Sequence, residues 1–262
     1  MPDQNPTNAP ETVRTADTSK QSWKQNAGIP VAIVFAALLI AGAIYLDGNK
    51  GGSPAVNVQD GIDGAQNAQV TPEIEVAPVT KDDHIRGNPN APIMIVEYSD
   101  YDCPFCKNFH ETMNRIIEEY GSTGKIAWVY RQFPLEQLHP NAPRISEASY
   151  CVAEQGGSDA FWKFSDLIFG GREINAQTDM KKLPEYAAQS GADRAKFELC
   201  LNSGKYTEKV KADVAAAAKT GARGTPHSIV MVGGEQGAIN GAQPYETVKQ
   251  IVENLIAQVE SK

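Results

Sequence analysis

Ile93-Met94-Ile95-Val96-Glu97-Tyr98-Ser99-Asp100-Tyr101-Asp102-Cys103-Pro104-Phe105-Cys106 decides how the rest of the chain is read. Ile93–Tyr98 is an apolar, β-rich run entered through Pro92, so it predicts a buried strand, interrupted by one acid, Glu97. Beyond it Phe105, Phe109, Met113, Ile116, Ile117 and Tyr120 recur at steps of four and three, while Lys107, Glu111, Arg115, Glu118 and Glu119 fill the other face. That spacing predicts an amphipathic helix from about Cys103 to Tyr120, stopped at Gly121. Lys125–Phe133 reads as a second strand. Strand, helix and strand within about 40 residues make a βαβ unit with a parallel pair.

Working outward, about Pro140 to Thr220 is helical. Ala160–Phe169 is rich in aromatic and aliphatic residues, with Phe161, Trp162 and Phe164 expected in the core. Asp193 suits an N-cap for Arg194–Leu201, and Tyr206–Lys219 is alanine-rich. After Pro226, Ser228–Val232 is a strand, Gly233-Gly234 a turn and Ala238–Asn240 the antiparallel partner. Tyr245, Val248, Ile251, Val252, Leu255, Ile256 and Val259 share one face of a final helix. The order is β-α-β, a helical insertion, then β-β-α: an α/β domain.

Cys103-Pro104-Phe105-Cys106 stands where the first strand gives way to the first helix. A helix N-terminus carries partial positive charge and unpaired N–H groups, which stabilise a thiolate on the first cysteine. Pro104 has no N–H and suits the first turn. Cys106, one turn on, can close a short disulfide and is expected to be less exposed, so Cys103 exchanges and Cys106 resolves. Two other uses of the pair stand beside this one. Structural zinc generally wants four ligands, and His110 supplies only a third, so no metal is expected. An inert staple at the helix start is the other.

This motif, a helical insertion and Gly224-Thr225-Pro226 before the last hairpin resemble the DsbA-like branch of the thioredoxin superfamily over about residues 80–262. The resemblance implies a thioredoxin fold with an inserted helical subdomain at about 140–220, inside a domain spanning 81–262. It implies thiol–disulfide exchange with unfolded or newly exported Cys-containing proteins, no cofactor, and reoxidation by a quinone-linked membrane oxidase. It implies that Pro226 is cis and lies beside Cys103, with the Thr225 backbone pairing with the client chain, as a strand edge can. Glu97 falls where the family places a buried acid; burial raises a carboxyl's pKa and equips it to move protons. Pro104, Phe105, Thr225, Tyr101 and His227 are the expected client-facing residues, with Tyr101 and Phe105 forming an apolar rim and His227 approaching Cys103. Asp100 and Asp102 oppose a Cys103 thiolate unless they point to solvent, and Phe105 replaces the His of the strongly oxidising relative. A mild oxidase is therefore expected. A reductase or isomerase of the same fold, and a noncatalytic binding or chaperone module, are the alternatives.

Cys151 and Cys200 fall on insertion helices and belong to no CxxC. A structural disulfide is preferred over a second redox pair or two buried thiols. His110 is expected at the surface of the active-site helix, and His139-Pro140 in a loop entering a helix.

The 262 residues are 41% apolar and 21% charged, which suits one globular domain with extensions. A net charge of −8 argues against nucleic acid as a partner. Gln25–Leu46 carries no charge and as a helix would span about 33 Å, enough for a bilayer core. Lys20 and Lys24 precede it and Asp47 follows, so a single-pass signal-anchor is expected, in preference to a cleaved signal peptide ending at Ala41-Gly42-Ala43. Residues 1–24 then form a disordered cytoplasmic tail, 47–80 a flexible linker, and the domain lies on the periplasmic or outer side as a monomer. All four cysteines lie beyond the anchor, in a compartment that permits disulfides.

Overall fold

A computed structural model describes residues 74–261. The expected tail at 1–24 and anchor at 25–46 lie outside the described residues. Among the described residues no helix is long and apolar enough to cross a membrane.

The apolar run becomes β2 (Ile93–Ser99), the middle of five strands. It lies between β3 (Ile126–Gln132), which runs parallel to it, and β4 (His227–Val232), which runs antiparallel. Flanking strands on both sides and layers on both faces explain why β2 tolerates apolar residues at consecutive positions. β5 (Glu235–Asn240) extends the sheet beyond β4 through the Gly233-Gly234 turn, where both residues take positive φ. At the other edge β1 (His84–Gly87) pairs antiparallel with β3. Four residues with a single aliphatic one gave no alternation to read, so this strand is an addition to the sequence-based order.

Helix α1 (Pro104–Tyr120) joins β2 to β3 and buries Cys106, Phe109, His110, Met113 and Ile116, the stripe its period predicts. The insertion holds α2 (Ala142–Gly170), α3 (Leu183–Gln189), α4 (Arg194–Asn202) and α5 (Thr207–Lys219). α2 consists of two helical segments that meet at a kink at Gly157, whose φ of 67° an L side chain rarely adopts. Asp193 caps α4 by accepting from Lys196 N at 2.8 Å. The chain closes with α6 (Tyr245–Glu260), which packs on α1.

The core has two parts. The larger joins one sheet face (Ile93, Ile95, Trp128, Val230) to α1, α2 and α6, and holds Phe161, Trp162 and Phe164 as expected. The smaller lies on the opposite face, where Val96, Tyr98, Val129, Phe133 and Ile229 meet Ala217 of α5. Ile74, Val76 and Val79 pack against it, and Arg131 donates to the carbonyls of Ala77 and Pro78. Residues 74–80, assigned by composition to the linker, are thus part of the folded layer. Cys151 and Cys200 form a disulfide between α2 and α4, as preferred.

Candidate active site

Cys103 is the N-cap of α1 and Pro104 its first residue, so the helix begins where one amide proton is missing by design. No acidic residue occupies the first turn, which leaves the positive end of the helix to the sulfur. Both cysteines are free thiols. The expected order of exposure holds, though narrowly: Cys103 keeps 4% of its surface and Cys106 none. The hydrogen bond from the Cys106 thiol lowers the Cys103 pKa most, to about 6, against burial; Thr225 and the Cys106 and Phe105 amides assist. Burial pushes Cys106 the other way, well above an ordinary thiol. One sulfur is therefore poised as thiolate and its neighbour as acid, which is the asymmetry that exchange requires.

The Thr225–Pro226 peptide is cis. Cys103 Sγ lies 3.4 Å from Thr225 O, so the loop before β4 and the start of α1 converge as the resemblance implied. Phe105, 62% exposed, stands outward beside them. Tyr101 does not. It is buried under the site with its hydroxyl 2.7 Å from Ser165 Oγ, because its ring packs between Tyr130 and Phe169. The expected aromatic rim is reduced to Phe105. His227 also departs from expectation. It pairs with Tyr98 across β2 and β4, and its ring lies 6.3 Å from that of Tyr98. Side chains alternate along a strand, so His227 belongs to the sheet face opposite Glu97. The polar neighbours of Cys103 are Thr225 and Cys106, not this imidazole.

Glu97 is fully buried beneath the pair. Its Oε2 accepts from Trp128 Nε1 at 2.9 Å, and its Oε1 has no partner among the described residues. Burial raises its pKa to about 7, against the Ser99 and Trp128 donors. A carboxyl so shifted holds a proton that the unfolded chain releases between pH 4.5 and 7, so folding stability falls as pH rises through that window. Glu97→Gln is expected to stabilise the dithiol form by about 3 kcal/mol near pH 8 and to leave it unchanged below about pH 4. Urea titrations at the two pH values check this; equal gains at both would remove the assignment.

Asp100 and Asp102 do not point to solvent, yet neither is left to oppose the thiolate freely. Asp100 Oδ1 accepts from Asp102 N (2.8 Å) and Cys103 N (3.2 Å), forming the turn into α1. Its Oδ2 accepts from Leu135 N at 2.7 Å and lies 2.9 Å from His139 Nδ1. Asp102 Oδ1 accepts from Thr178 N (2.8 Å) and Oγ1 (2.6 Å). Asp100 is bound through both oxygens and Asp102 through one, its Oδ2 having no partner among the described residues, and these bonds tie the turn to the segments around it.

His110, expected at the surface, is buried on the same face of α1 as Cys106, one turn on. Its Nε2 lies 2.7 Å from Asp166 Oδ1, and Arg86 donates to the same carboxyl while stacking on Trp162. Burial lowers the His110 pKa, with Asp166 opposing. Its partners come from α2 and β1, far apart in sequence, so spacing could not pair them. Arg172, Trp128 and Thr178 are likewise site neighbours that the sequence alone did not mark. Among the described residues no group of His, Cys, Asp or Glu could hold a metal ion.

Comparison with known proteins bears on this geometry. The solved structure of alpha-DsbA1 from Wolbachia pipientis is 23% identical, with a TM-score of 0.59 over 71% of this chain and 96% of that one. Oxidised BdbD from Bacillus subtilis is 20% identical, with a TM-score of 0.61 over 70% and 98%. A Na(+)/H(+) antiporter, NhaA 3 of Salinispora tropica, is 32% identical over 152 residues, 58% of this chain. The chain spans about a fifth of the length of the curated relatives it first matches, 22% of that antiporter. The fold is thus shared with these DsbA and BdbD structures, and residues 79–254 match the thioredoxin family, to which the chain belongs.

Proposed function

We propose that this protein is a thiol:disulfide oxidase that transfers the Cys103–Cys106 disulfide to newly exported polypeptides. The observation that carries the proposal is the opposed pair of sulfurs at one helix start: Cys103 drawn down to about 6 and Cys106 pushed up, beside the Thr225–Pro226 loop. A client thiolate attacks the disulfide, a mixed disulfide forms at Cys103, and a second client thiolate releases the Cys103 thiolate, the favoured leaving group. The client gains one disulfide and the enzyme becomes a dithiol. A quinone-linked membrane thiol oxidase would remove the two electrons. Thr225 offers backbone to an extended client, and Phe105 offers an apolar contact next to the sulfur. The uncharged stretch at 25–46 would tether the domain as a monomer on the periplasmic or outer side of the membrane.

A reductase or isomerase of the same fold is the second reading, favoured by the buried carboxyls of Asp100 and Asp102 at the Cys103 turn, whose charge opposes the thiolate that drives an oxidase. Equilibration of the full chain with glutathione buffers separates the two. A potential closer to about −120 mV than to about −270 mV is expected; a value at the lower end would make it a reductase. In the same preparation, a chain beginning near Ile44 would remove the tether without touching the exchange chemistry.

A further inference from the structure

The chemistry above leaves one buried charge without a role. Arg172 follows α2, is 7% exposed, and forms no ion pair among the described residues. A guanidinium stays charged in proteins, so it has been taken out of water without a bonded counterion. It binds only backbone oxygens. Nε donates to Tyr101 O (3.1 Å) and Nη2 to Cys103 O (2.8 Å). Nη1 faces the carbonyls of Ala176 (3.1 Å), Ile174 (3.2 Å) and Glu173 (3.4 Å). The residue between its two active-site carbonyls, Asp102, is held by Thr178 of the same loop. Residues 172–178 therefore grip 101–103 with a cation on the backbone and two donors on the carboxyl.

Reduction changes the charge at this grip. The disulfide carries none, whereas the dithiol places a thiolate on Cys103, whose own carbonyl Arg172 holds. The other charged groups facing the turn are Asp100, Asp102 and Glu97, with His139 against Asp100. Lys107, on α1, is turned to Phe169 O and Glu111.

We infer that Arg172 is a positioning residue through which the helical insertion sets the preference for the reduced Cys103–Cys106 pair, its cation gaining a further negative neighbour, beside Asp102, when Cys103 is a thiolate. The inference rests on the exchange chemistry proposed above. Burial lowers the Arg172 pKa, and the charges of Asp102 and then Cys103 oppose it.

The experiment equilibrates the full chain with glutathione: the dithiol and glutathione disulfide give the Cys103–Cys106 disulfide and two glutathione thiols. One S–S bond breaks and one forms, two electrons pass to the glutathione sulfurs, and the protons end on the two new thiols. Arg172→Gln is expected to shift this equilibrium about tenfold toward the protein disulfide and to raise the Cys103 midpoint, followed by thiolate absorbance, by about one unit. Arg172→Lys keeps a charge but not the fork, and should shift the equilibrium about threefold in the same direction. Should the Gln protein not fold, the Lys protein decides. Either variant, folded and with the wild-type equilibrium and midpoint, would overturn the inference. So would equal loss of thermal stability in both redox forms without a shift, because that marks a purely structural arginine. If wild-type protein itself fails to exchange with glutathione, the proposed function falls instead.

Discussion

Cys103→Ser is expected to reduce disulfide transfer to a thiol-containing peptide by about three orders of magnitude or more, to the background of the uncatalysed exchange. The reason is that Cys106 cannot substitute for its neighbour. Cys106 is wholly buried and its thiol is pushed well above the ordinary range, whereas Cys103 is drawn down to about 6. The complementary variant behaves differently. Cys106→Ser keeps the reactive sulfur but removes the group that releases the client, so, given a client carrying a glutathione mixed disulfide, its Cys103 thiolate displaces glutathione thiolate and the Cys103–client disulfide is expected to accumulate. Thiol titration of a two-cysteine peptide reads the first outcome, and non-reducing electrophoresis of the glutathionylated single-cysteine client reads the second. A binding or chaperone module would keep its activity in Cys103→Ser, and that result would end the enzymatic reading.

The second large effect belongs to the insertion. Replacing Cys151 and Cys200 together by Ala is expected to cost about 4 kcal/mol, the chain-entropy value for closing a loop of 49 residues. For a domain of this size the midpoint of thermal unfolding would fall by about 8–16 °C. The bridge ties α2 to α4, and Cys151 lies within the main core, so the loss adds packing to entropy. The glutathione equilibrium of the remaining pair should not move. Alkylation mapping under mild reductant supplies the order of opening: Cys103–Cys106 first, Cys151–Cys200 afterwards. The reverse order would make the insertion bridge a second redox centre.

The strand–helix–strand core was legible because each piece announces itself locally. The apolar run of β2, the three-and-four spacing of α1 and the Pro104 start are properties of neighbouring residues. Cys103, Cys106 and Glu97 could be ordered by depth from the same stretch. What escaped was what the fold assembles from a distance. Tyr101 sits beside a reactive cysteine in sequence, yet it turns inward because Tyr130 and Phe169 offer a stack and Ser165 a hydroxyl. His110 looked like a solvated helix residue until Asp166 of α2 and Arg86 of β1 closed over it. Arg172 was one arginine among many, since a side chain that bonds only to carbonyls leaves no partner to find in a sequence. His110 repeats Cys106 after four residues, so the same buried face of the helix holds both, a spacing the surface assignment overlooked.

The small opening over Cys103 has a consequence of shape. On the exchange chemistry proposed above, a cysteine that keeps a twenty-fifth of its surface would be met in line by something slender, such as a single extended backbone with its own cysteine at the point of contact. Compact proteins, whose sulfurs sit behind curvature, would then be turned away by geometry before chemistry begins. Selection of this kind would read maturity instead of identity: a chain would be served while it is still thread, and passed over once it has wound itself up.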